Sequence, residues 1–488
     1  MTSGVPDVRI RVARPGPVRE GGDFVLYRMS ATRRRRYNFA LQRAVEWARR
    51  LGKPLLVLET LPCNYPWASE RTHAFLLAGM RDNAEALSAG PALYYPFVEE
   101  RPGRCGRLFA ELAVRACVGV VDDYPTEYGR RLASEAAEGA RSLLEAVDSN
   151  GLLPFAAADR AFATAHATRR HLQKTLRPHL LQTPKPDPLR GVDLRKGSIP
   201  RSIRQRWPRA SAALLRGEAK ALARLPIHHA VAAAATPGGS SAAGARLRRF
   251  VKEKLARYVD DRNHPDIDGT SGLSPYLAHG HISPHEVFAE VARAEGWHIG
   301  DLAEKASGSR TGWWGMGAAA EAFLDQLVTW REVGTNACAH MPDYDRYESL
   351  PEWARRTLGE HETDEREYTY TLRHFERAET HDALWNAAQR QLRTEGRIHN
   401  YMRMLWGKKI LQWTESPGEA LEVMIGLNNK YALDAEDPNS YSGIFWVLGR
   451  YDRAWGPERP IFGKVRYMSS ENTARKLRVR GYIARYGA

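Results

Sequence analysis

The chain has 488 residues, of which 43% are hydrophobic and 26% are charged. This length is too great for one ordinary domain, and the composition is that of a globular protein. No apolar run approaches the ~18 residues that cross a bilayer. We therefore expect no membrane association and a cytoplasmic location, with nucleoid association in a bacterium. Lysine and arginine exceed aspartate and glutamate by 15, a balance that suits a nucleic-acid partner but is not specific for one.

The four cysteines lack metal-binding spacing. They form no CxxC pair, and none stands with histidines at zinc-finger spacing. We therefore expect free thiols and no metal site at Cys63, Cys105, Cys117 and Cys338.

Short apolar runs alternate with helical stretches over the first third of the chain. The runs predicted as strands are Phe24–Met29, Pro54–Leu61, Tyr94–Val98 and Cys117–Asp123, with a less clear fifth at Leu143–Val147. The predicted helices among them are Tyr37–Leu51, Thr72–Leu87 and Gly106–Arg115. This alternation predicts an α/β, Rossmann-like domain over residues 23–170, with a parallel sheet wrapped by helices. No GxGxxG follows the first strand and no P-loop sequence is present, so neither nucleotide-binding fingerprint applies.

The remainder of the chain divides into a connection and a helical region. Residues 171–244 are predicted as a long, irregular and basic linker, with the basic stretch Arg195–Arg224 at its centre. Residues 245–488 have helical periodicity, and ten of the thirteen tryptophans lie at or after Trp297. We therefore predict an all-α C-terminal domain. Its predicted helices include Arg246–Asp260, Ser283–Glu295, Ala318–Glu332, His381–Arg393, Arg403–Trp413, Pro417–Lys430 and Ser469–Arg478.

Three features of the helical region point to chemistry. The segment Thr270-Ser271-Gly272-Leu273-Ser274 offers hydroxyl and backbone N–H groups just before a helix, which suits either a phosphate cradle or a simple helix cap. Gln326 and Trp330 are four residues apart and share one helix face. The third feature is a set of tryptophans that either fill a core or form an electron-hopping chain. Its members are Trp385, Trp406 and Trp413, the last two of which lie two helical turns apart.

Longer motifs resemble the class II cyclobutane pyrimidine dimer photolyases of the photolyase/cryptochrome superfamily. They are LWNAAQ (384–389), GKKILQW (407–413), LNNKYALD (427–434) and ERPIFGKVRYM (458–468). The run from Tyr258 to Asn263 ahead of GLSPYL, and YRMS at 27–30, are also similar to that family. The resemblance is strong from about residue 244 onward and weaker before it. It implies that the all-α domain binds flavin adenine dinucleotide (FAD).

The resemblance also implies roles for individual residues around the flavin. Arg403 would bridge to Asp434 near the isoalloxazine ring, and Asn428 would lie by flavin N5, where they can stabilise a reduced, anionic flavin. Trp406 would lie nearest the flavin in an electron chain with Trp385 and Trp413. The phosphates and ribityl chain would be held by Tyr258, Arg262, Thr270, Ser271, Gly272, Leu273 and Ser274.

The implied substrate is UV-damaged DNA. Light would drive an electron from reduced FAD to a flipped pyrimidine dimer, the cyclobutane ring would split, and the electron would return. The lesion pocket would comprise Gln326, Trp330, Met404 and Trp446, and the vacated duplex would be supported by Asp452, Arg453 and Trp455. We expect a monomer. Whether a second antenna chromophore, a deazaflavin or a folate, occupies the N-terminal domain stays open.

Some positions depart from the class II pattern. Gln326 stands where the class has a glutamate, and an amide cannot supply that residue's proton or charge. A glutamine there is typical of six-four photolyases and cryptochromes, so a cryptochrome-like blue-light photoreceptor without repair activity stays open, as does a flavin fold with non-DNA chemistry. Met404 is the residue of dimer-type enzymes. The other departures are Ala278-His279, where His-Phe is usual, and Ala435-Glu436, where Gly-Arg is common.

Overall fold

The computed structural model describes residues 4–487. The N-terminal part of the chain forms a six-stranded sheet. The strands are β1 (Ile10–Arg14), β2 (Phe24–Met29), β3 (Leu55–Leu61), β4 (Leu93–Val98), β5 (Ala116–Asp123) and β6 (Leu144–Asp148). Their order across the sheet is β1-β6-β5-β2-β3-β4. Strands β2 to β6 pair in parallel, whereas β1 pairs antiparallel with β6 at the edge. The predicted α/β fold is confirmed, with β1 as an additional strand.

The sheet strands form where the sequence has unbroken apolar runs. Every residue of β2, β3 and β5 is buried, as expected for parallel strands that are covered on both faces. Side-chain caps fix where the covering helices begin: the Asn38 side chain accepts from the Leu41 backbone N–H at 2.8 Å at the start of α1. The helices between the strands are α1 (Phe39–Leu51), α2 (Glu70–Ser88), α3 (Arg104–Ala113) and α4 (Glu127–Gly139).

The segment predicted as an irregular linker contains helices. They are α5 (Ala165–Leu180), α6 (Arg201–Arg206), α7 (Ala212–Leu215), α8 (Ala219–Leu222) and the start of α9 (Ser240–Glu253). Ile199, Ile203 and Trp207 are buried against the apolar side chains of the sheet. The expectation of an irregular segment was therefore wrong here, because these short helices are stabilised by burying apolar residues rather than by a visible helical period.

Helices make up most of the rest of the chain. They are α10 (Tyr258–Asp261), α11 (Ser274–Ala278), α12 (Pro284–Ala294), α13 (Ala318–Leu324), α14 (Arg331–His340), α15 (Glu352–Glu360), α16 (Leu372–Arg377), α17 (Ala383–Glu395), α18 (Asn400–Trp413), α19 (Pro417–Tyr431), α20 (Pro438–Val447), α21 (Ser470–Lys476) and α22 (Arg480–Tyr486). Single 3-10 turns occur at Asp7–Arg9, Phe155–Ala157, Leu255–Arg257, Ile299–Asp301 and Tyr347–Ser349. In the described residues, no helix combines the length and the apolar character that a membrane crossing requires.

Two predicted helices are interrupted. The stretch Arg246–Asp260 divides at Lys254 into the end of α9, a 3-10 turn and α10. The stretch Ala318–Glu332 contains a π-helical segment, Asp325–Trp330, between α13 and α14. Helical periodicity in the sequence does not distinguish a π-helical turn from an α-helical one, and such turns are frequent at functional sites.

The chain divides into two compact units, each built from separate stretches of sequence. The first comprises residues up to Ala158, Thr175–Arg248 and Leu273–Arg293. The second comprises Asp159–Lys174, Arg249–Gly272 and the residues from Ala294 onward. The division into folding domains at 23–170, 171–244 and 245–488 stays a prediction.

One buried carboxylate organises the carboxyl ends of the central strands. Asp122, at the end of β5, is 4% exposed. It accepts hydrogen bonds of 2.8 Å from the Tyr27 hydroxyl and from the backbone N–H groups of Ser30, Ala31 and Thr32. The loop after β2 is therefore tied to β5 by charge-assisted hydrogen bonds.

We predict that Asp122→Ala lowers the free energy of unfolding by roughly 3 kcal/mol, because four donors lose their acceptor in a buried site. Urea denaturation of the wild type and the variant measures this change in the free energy of unfolding. The control is Asp23→Ala, which removes a surface ion pair with Arg115 and should cost less than about 1 kcal/mol. Equal effects of the two substitutions would contradict this role for Asp122.

Candidate functional site

Arg403, Asp434 and Asn428 form a polar centre in the second unit. Arg403 lies on α18 and pairs with the Asp434 carboxylate at 3.1 Å. Its other terminal nitrogen donates to Asn428 Oδ1 at 3.0 Å, and Asn428 Nδ2 donates to Ser440 Oγ at 2.8 Å. Asn428 is 3% exposed. The structure thus joins the three residues expected beside the flavin ring and fixes the orientation of the Asn428 amide.

Arg262 lies near the N-terminus of α18. The side chain of His399, the residue before α18, lies against the backbone of Arg262, and burial lowers the His399 pKa to about 4. His399 is therefore neutral at neutral pH, so the positive charge here resides on arginines. The Arg262 guanidinium lies over the Tyr258 ring at 5.4 Å. Because His399 precedes Arg403 by about one helical turn, Arg262 and Arg403 belong to the same end of α18.

The predicted phosphate segment includes residues of both units. Thr270, Ser271 and Gly272 belong to the second unit, whereas Leu273 and Ser274 belong to the first. Gly272 has φ +62°, a conformation that favours glycine. The helix that follows, α11, has only five residues, so its dipole is smaller than that of a long helix. The hydroxyls and the Gly272 turn are present, and the role of the segment stays a prediction.

The three tryptophans expected to carry electrons are buried and connected. Trp385, Trp406 and Trp413 are each at most 2% exposed. Trp385 Nε1 donates to the Trp406 carbonyl at 3.0 Å, and the rings of Trp385 and Trp413 lie edge to face with centroids 5.9 Å apart. Trp406 Nε1 donates to Gln389 Oε1 at 2.9 Å. These contacts connect the residues in the order Trp406, Trp385, Trp413.

Two of the predicted lesion residues share one apolar cluster. Trp330 and Trp446 are half-buried and pack against the buried side chains of Val333, Ala337 and Tyr451. Helices α14 and α20 approach closely because Gly334 lies beside Pro438; a Cβ at Gly334 would stand 2.4 Å from the Pro438 carbonyl oxygen. The two indoles therefore come from helices that a glycine contact holds together.

Met404 and Gln326 complete the predicted pocket. The Met404 methyl group packs 3.9 Å from where a Cβ on Gly443 would stand, on the helix that carries Trp446. Gln326 is half-buried in the π-helical segment, four residues before Trp330. Within the residues that the structure describes, its amide makes no hydrogen bond to the protein, so both its donor and its acceptor are available to a ligand.

Asp452 organises the predicted duplex-binding residues. It pairs with Arg466 at 3.1 Å and accepts from Trp455 Nε1 at 3.1 Å. The guanidinium of exposed Arg453 lies 4.5 Å from the Trp455 ring centroid, and that of Arg466 lies 4.1 Å from it. Arginines stacked on an indole provide both charge and stacking for nucleic acid.

Sequence reasoning did not single out Arg466 and Lys408. Arg466 also stacks on Trp446 at 5.1 Å, so it joins the lesion tryptophan to Trp455. Lys408 is fully buried, donates to the Val447 carbonyl at 2.5 Å and lies 5.6 Å from the Trp446 ring. Both residues lie inside family-like motifs, GKKILQW and ERPIFGKVRYM, but the residues that they contact come from other segments and only the fold reveals them.

Comparison with known proteins decides the family. The chain is 34% identical over 470 residues to a deoxyribodipyrimidine photo-lyase of Methanothermobacter thermautotrophicus, a match covering 95% of this chain and 94% of that protein. The chain belongs to the photolyase/cryptochrome family. It is also 30% identical to the photo-lyase of Arabidopsis thaliana and 33% identical to that of Oryza sativa, over 99% and 98% of this chain and 93% and 90% of those proteins. No protein-family model matches the chain.

Solved structures agree on the fold of this photolyase relative. A class III photolyase from Agrobacterium tumefaciens aligns with a TM-score of 0.67 at 17% identity, covering 95% of this chain and 86% of that one. A cryptochrome from Synechocystis aligns with a TM-score of 0.62 at 14% identity, covering 95% of this chain and 88% of that one. At these identities the likeness concerns the fold alone. The family relationship itself makes the chain an enzyme of the lyase class and a flavoprotein of DNA photorepair.

The donor set of the second unit fits FAD, the cofactor of this family. Arg262 and Arg403 supply positive charge for phosphates and for an anionic ring, and Thr270 and Ser271 supply hydroxyl donors. Asp434 balances the charge of Arg403 at 3.1 Å, so that guanidinium has a fixed direction. These residue types match the chemistry of a flavin dinucleotide.

Lys408 generates a testable pH dependence. Burial lowers its pKa to about 7 from the ordinary value of 10.5. Between about pH 7 and 10.5 the unfolded chain therefore binds a proton at Lys408 that the folded chain does not. The contribution of Lys408 to the free energy of unfolding is least favourable below pH 7 and becomes more favourable as the pH rises through this range.

We predict that the wild type gains unfolding free energy relative to Lys408→Met by about 1.4 kcal/mol for each pH unit above pH 7, because methionine cannot titrate. Denaturation of both proteins at pH 6.5, 7.5 and 9 measures it. The unpaired Val447 carbonyl adds an offset that does not depend on pH. A difference that stays constant with pH would show that Lys408 does not titrate in this range.

Proposed function

We propose that this chain is a class II photolyase, which repairs cyclobutane pyrimidine dimers in DNA by light-driven electron transfer from reduced FAD. The observation that supports it best is that one helix, α18, carries three kinds of residue in succession. Arg403 pairs with Asp434, Met404 packs beside the helix of Trp446, and Trp406 contacts Trp385. Flavin contact, lesion contact and electron supply would then be positioned by a single rigid element.

Bound FAD would supply the electron to the dimer, and the residues of the chain set the conditions for that transfer. The Arg403 guanidinium, paired with Asp434 and bonded to Asn428, is the positive group that would stabilise negative charge on the flavin ring. Because Asn428 Oδ1 already accepts from Arg403, its amide hydrogens are the groups that face Ser440 and Asn429. The polar centre is thus oriented before any ligand binds.

The predicted pocket of Trp330 and Trp446 would receive a flipped pyrimidine dimer. Half-buried indoles on one apolar cluster offer stacking surface for unstacked bases, and extrusion costs less for a damaged pair of bases than for normal ones. The free amide of Gln326 can donate to a pyrimidine carbonyl without a proton transfer. Arg453, Arg466 and Trp455 would support the duplex that the dimer has left.

Several finer elements belong to the same proposal. Tyr258, Arg262 and the Thr270–Ser274 segment would hold the phosphates and ribityl chain of FAD, with the Arg262–Tyr258 stack as support. A second chromophore, a deazaflavin or a folate, would serve as an antenna in the N-terminal unit. The enzyme would act as a cytoplasmic monomer.

We expect the purified protein with reduced flavin to remove cyclobutane dimers from an oligonucleotide under blue light and not in the dark. Chromatography that separates the dimer-containing from the repaired oligonucleotide measures the loss of dimers. A six-four photoproduct oligonucleotide is the matched substrate control and should stay unrepaired. A bound flavin without dimer loss would instead favour a blue-light photoreceptor and contradict the proposal.

We also predict that Trp406→Phe reduces the rate of flavin photoreduction by at least about tenfold, because phenylalanine is a much poorer electron donor in the first position of the chain. Chemically reduced Trp406→Phe should still repair dimers. Absorbance of the flavin under illumination with a thiol reductant measures the first effect. Trp297→Phe, a substitution outside the chain of contacts, is the control, and equal photoreduction by both variants would contradict the assigned path.

A further inference from the structure

We propose that the segment Asp159–Lys174 is a positioning strap for the lesion pocket, and that Arg169 is its key residue. The segment follows the sheet in sequence but belongs to the second unit. It contacts helix α14, the chain that follows α20 and the π-helical segment, which carry or adjoin the predicted pocket and duplex residues other than Met404. The inference rests on the proposed function and names further residues that determine the shape of that same site.

The first contact is with α14. Asn336 Oδ1 accepts from the Phe162 backbone N–H at 2.9 Å, and Asn336 Nδ2 donates to the Arg160 carbonyl at 2.8 Å. A buried amide that meets a backbone donor and a backbone acceptor two residues apart fixes both the position and the direction of the strap. Since α14 begins directly after Trp330, this contact fixes the helix that follows that indole.

The second contact is with the chain that follows α20. Thr164 pairs with Tyr451 in a parallel backbone bridge. Ala165 is buried in the same apolar cluster as Tyr451 and packs with Trp330 and Trp446. Tyr451 immediately precedes Asp452 and Arg453, so the strap also fixes the start of the predicted duplex-binding loop.

The third contact is with the π-helical segment. Arg169 and Asp325 form a bidentate ion pair of 2.8 and 3.2 Å, and both side chains are at most 10% exposed. Asp325 is the first residue of the π-helical segment, and Gln326 is the second. A two-pronged guanidinium–carboxylate contact fixes orientation as well as distance. The direction in which Gln326 points is therefore coupled to Arg169, which lies 157 positions earlier in the sequence.

Gln173 extends the strap by one helical turn. Its side chain accepts from the Gly308 backbone N–H at 2.7 Å and donates to the Ser309 carbonyl at 2.9 Å. Gly308 has φ +77°, and a Cβ there would stand 2.5 Å from the His166 ring. The loop before α13 is thus held by the same face of α5 that holds Asp325. Arg169 acts through Asp325 and touches no reacting atom, so it is a positioning residue.

The test separates the lesion pocket from the flavin site. Arg169→Gln leaves the Asp325 carboxylate buried and unpaired, a change that risks destabilising the fold. The double variant Arg169→Gln/Asp325→Asn removes both charges, leaves a polar side chain at each position and keeps the protein testable. Arg293→Gln, at an exposed ion pair with Glu290, is the control substitution.

We expect the double variant to bind flavin and to photoreduce it at the wild-type rate, because the contacts of Trp406, Trp385 and Trp413 do not involve the strap. Its preference for dimer-containing over undamaged oligonucleotide, measured in the dark by fluorescence anisotropy, should fall by about tenfold. Arg169→Lys should recover only part of that preference, since an ammonium cannot make the bidentate contact.

Wild-type dimer preference in the double variant would overturn the inference. Loss of flavin binding and dimer preference together would also overturn it, because it would mean that the strap stabilises the fold as a whole. A wild-type protein that does not prefer dimer-containing oligonucleotide would instead count against the proposed function, so the two failures are distinguishable.

Discussion

The ion pair between Arg403 and Asp434 is the interaction on which the candidate site depends. Both side chains are 14% exposed, so each needs the other to offset the loss of solvation. The pair fixes α18 against the chain that follows α19, and the second hydrogen bond of Arg403 orients Asn428. Once α18 is placed, Met404 and Trp406 are placed with it, one toward the lesion residues and one toward the other buried tryptophans.

A second constraint comes from buried ion pairs near the predicted pocket residues. Two buried ion pairs lie next to segments that carry pocket residues. Asp325 pairs with Arg169, and Asp437 at the start of α20 pairs with Arg331 at 3.5 Å. Lys408 differs from these pairs, since its buried amino group contacts a carbonyl and an indole face rather than a carboxylate. Charge near Trp446 is therefore controlled by Lys408 and Arg466 together, and pH affects the first of these within the physiological range.

The sequence was sufficient where local pattern determines structure. Strand β3 and helix α2 were predicted within two residues of their bounds, because an apolar run and a capped helical period each carry their own signal. The family motifs also led to Arg403, Asp434 and Asn428, which the structure joins. Contacts between distant positions were out of reach: no local signal marks the π-helical turn at Asp325, whose partner Arg169 lies in a stretch that was divided between domain and linker. Strand β1 was missed for a different reason: its partly exposed residues lack the apolar run that marked the other strands.

The measurement that tests the account most directly is the visible absorption of the purified protein during blue-light illumination with a thiol reductant. We expect bound FAD whose oxidised band bleaches in the wild type, and loss of that bound flavin in Asp434→Ala, where Arg403 has no carboxylate partner and keeps only its bond to Asn428. A wild-type protein that binds no flavin although Arg403, Asp434 and Asn428 are intact would contradict the central claim.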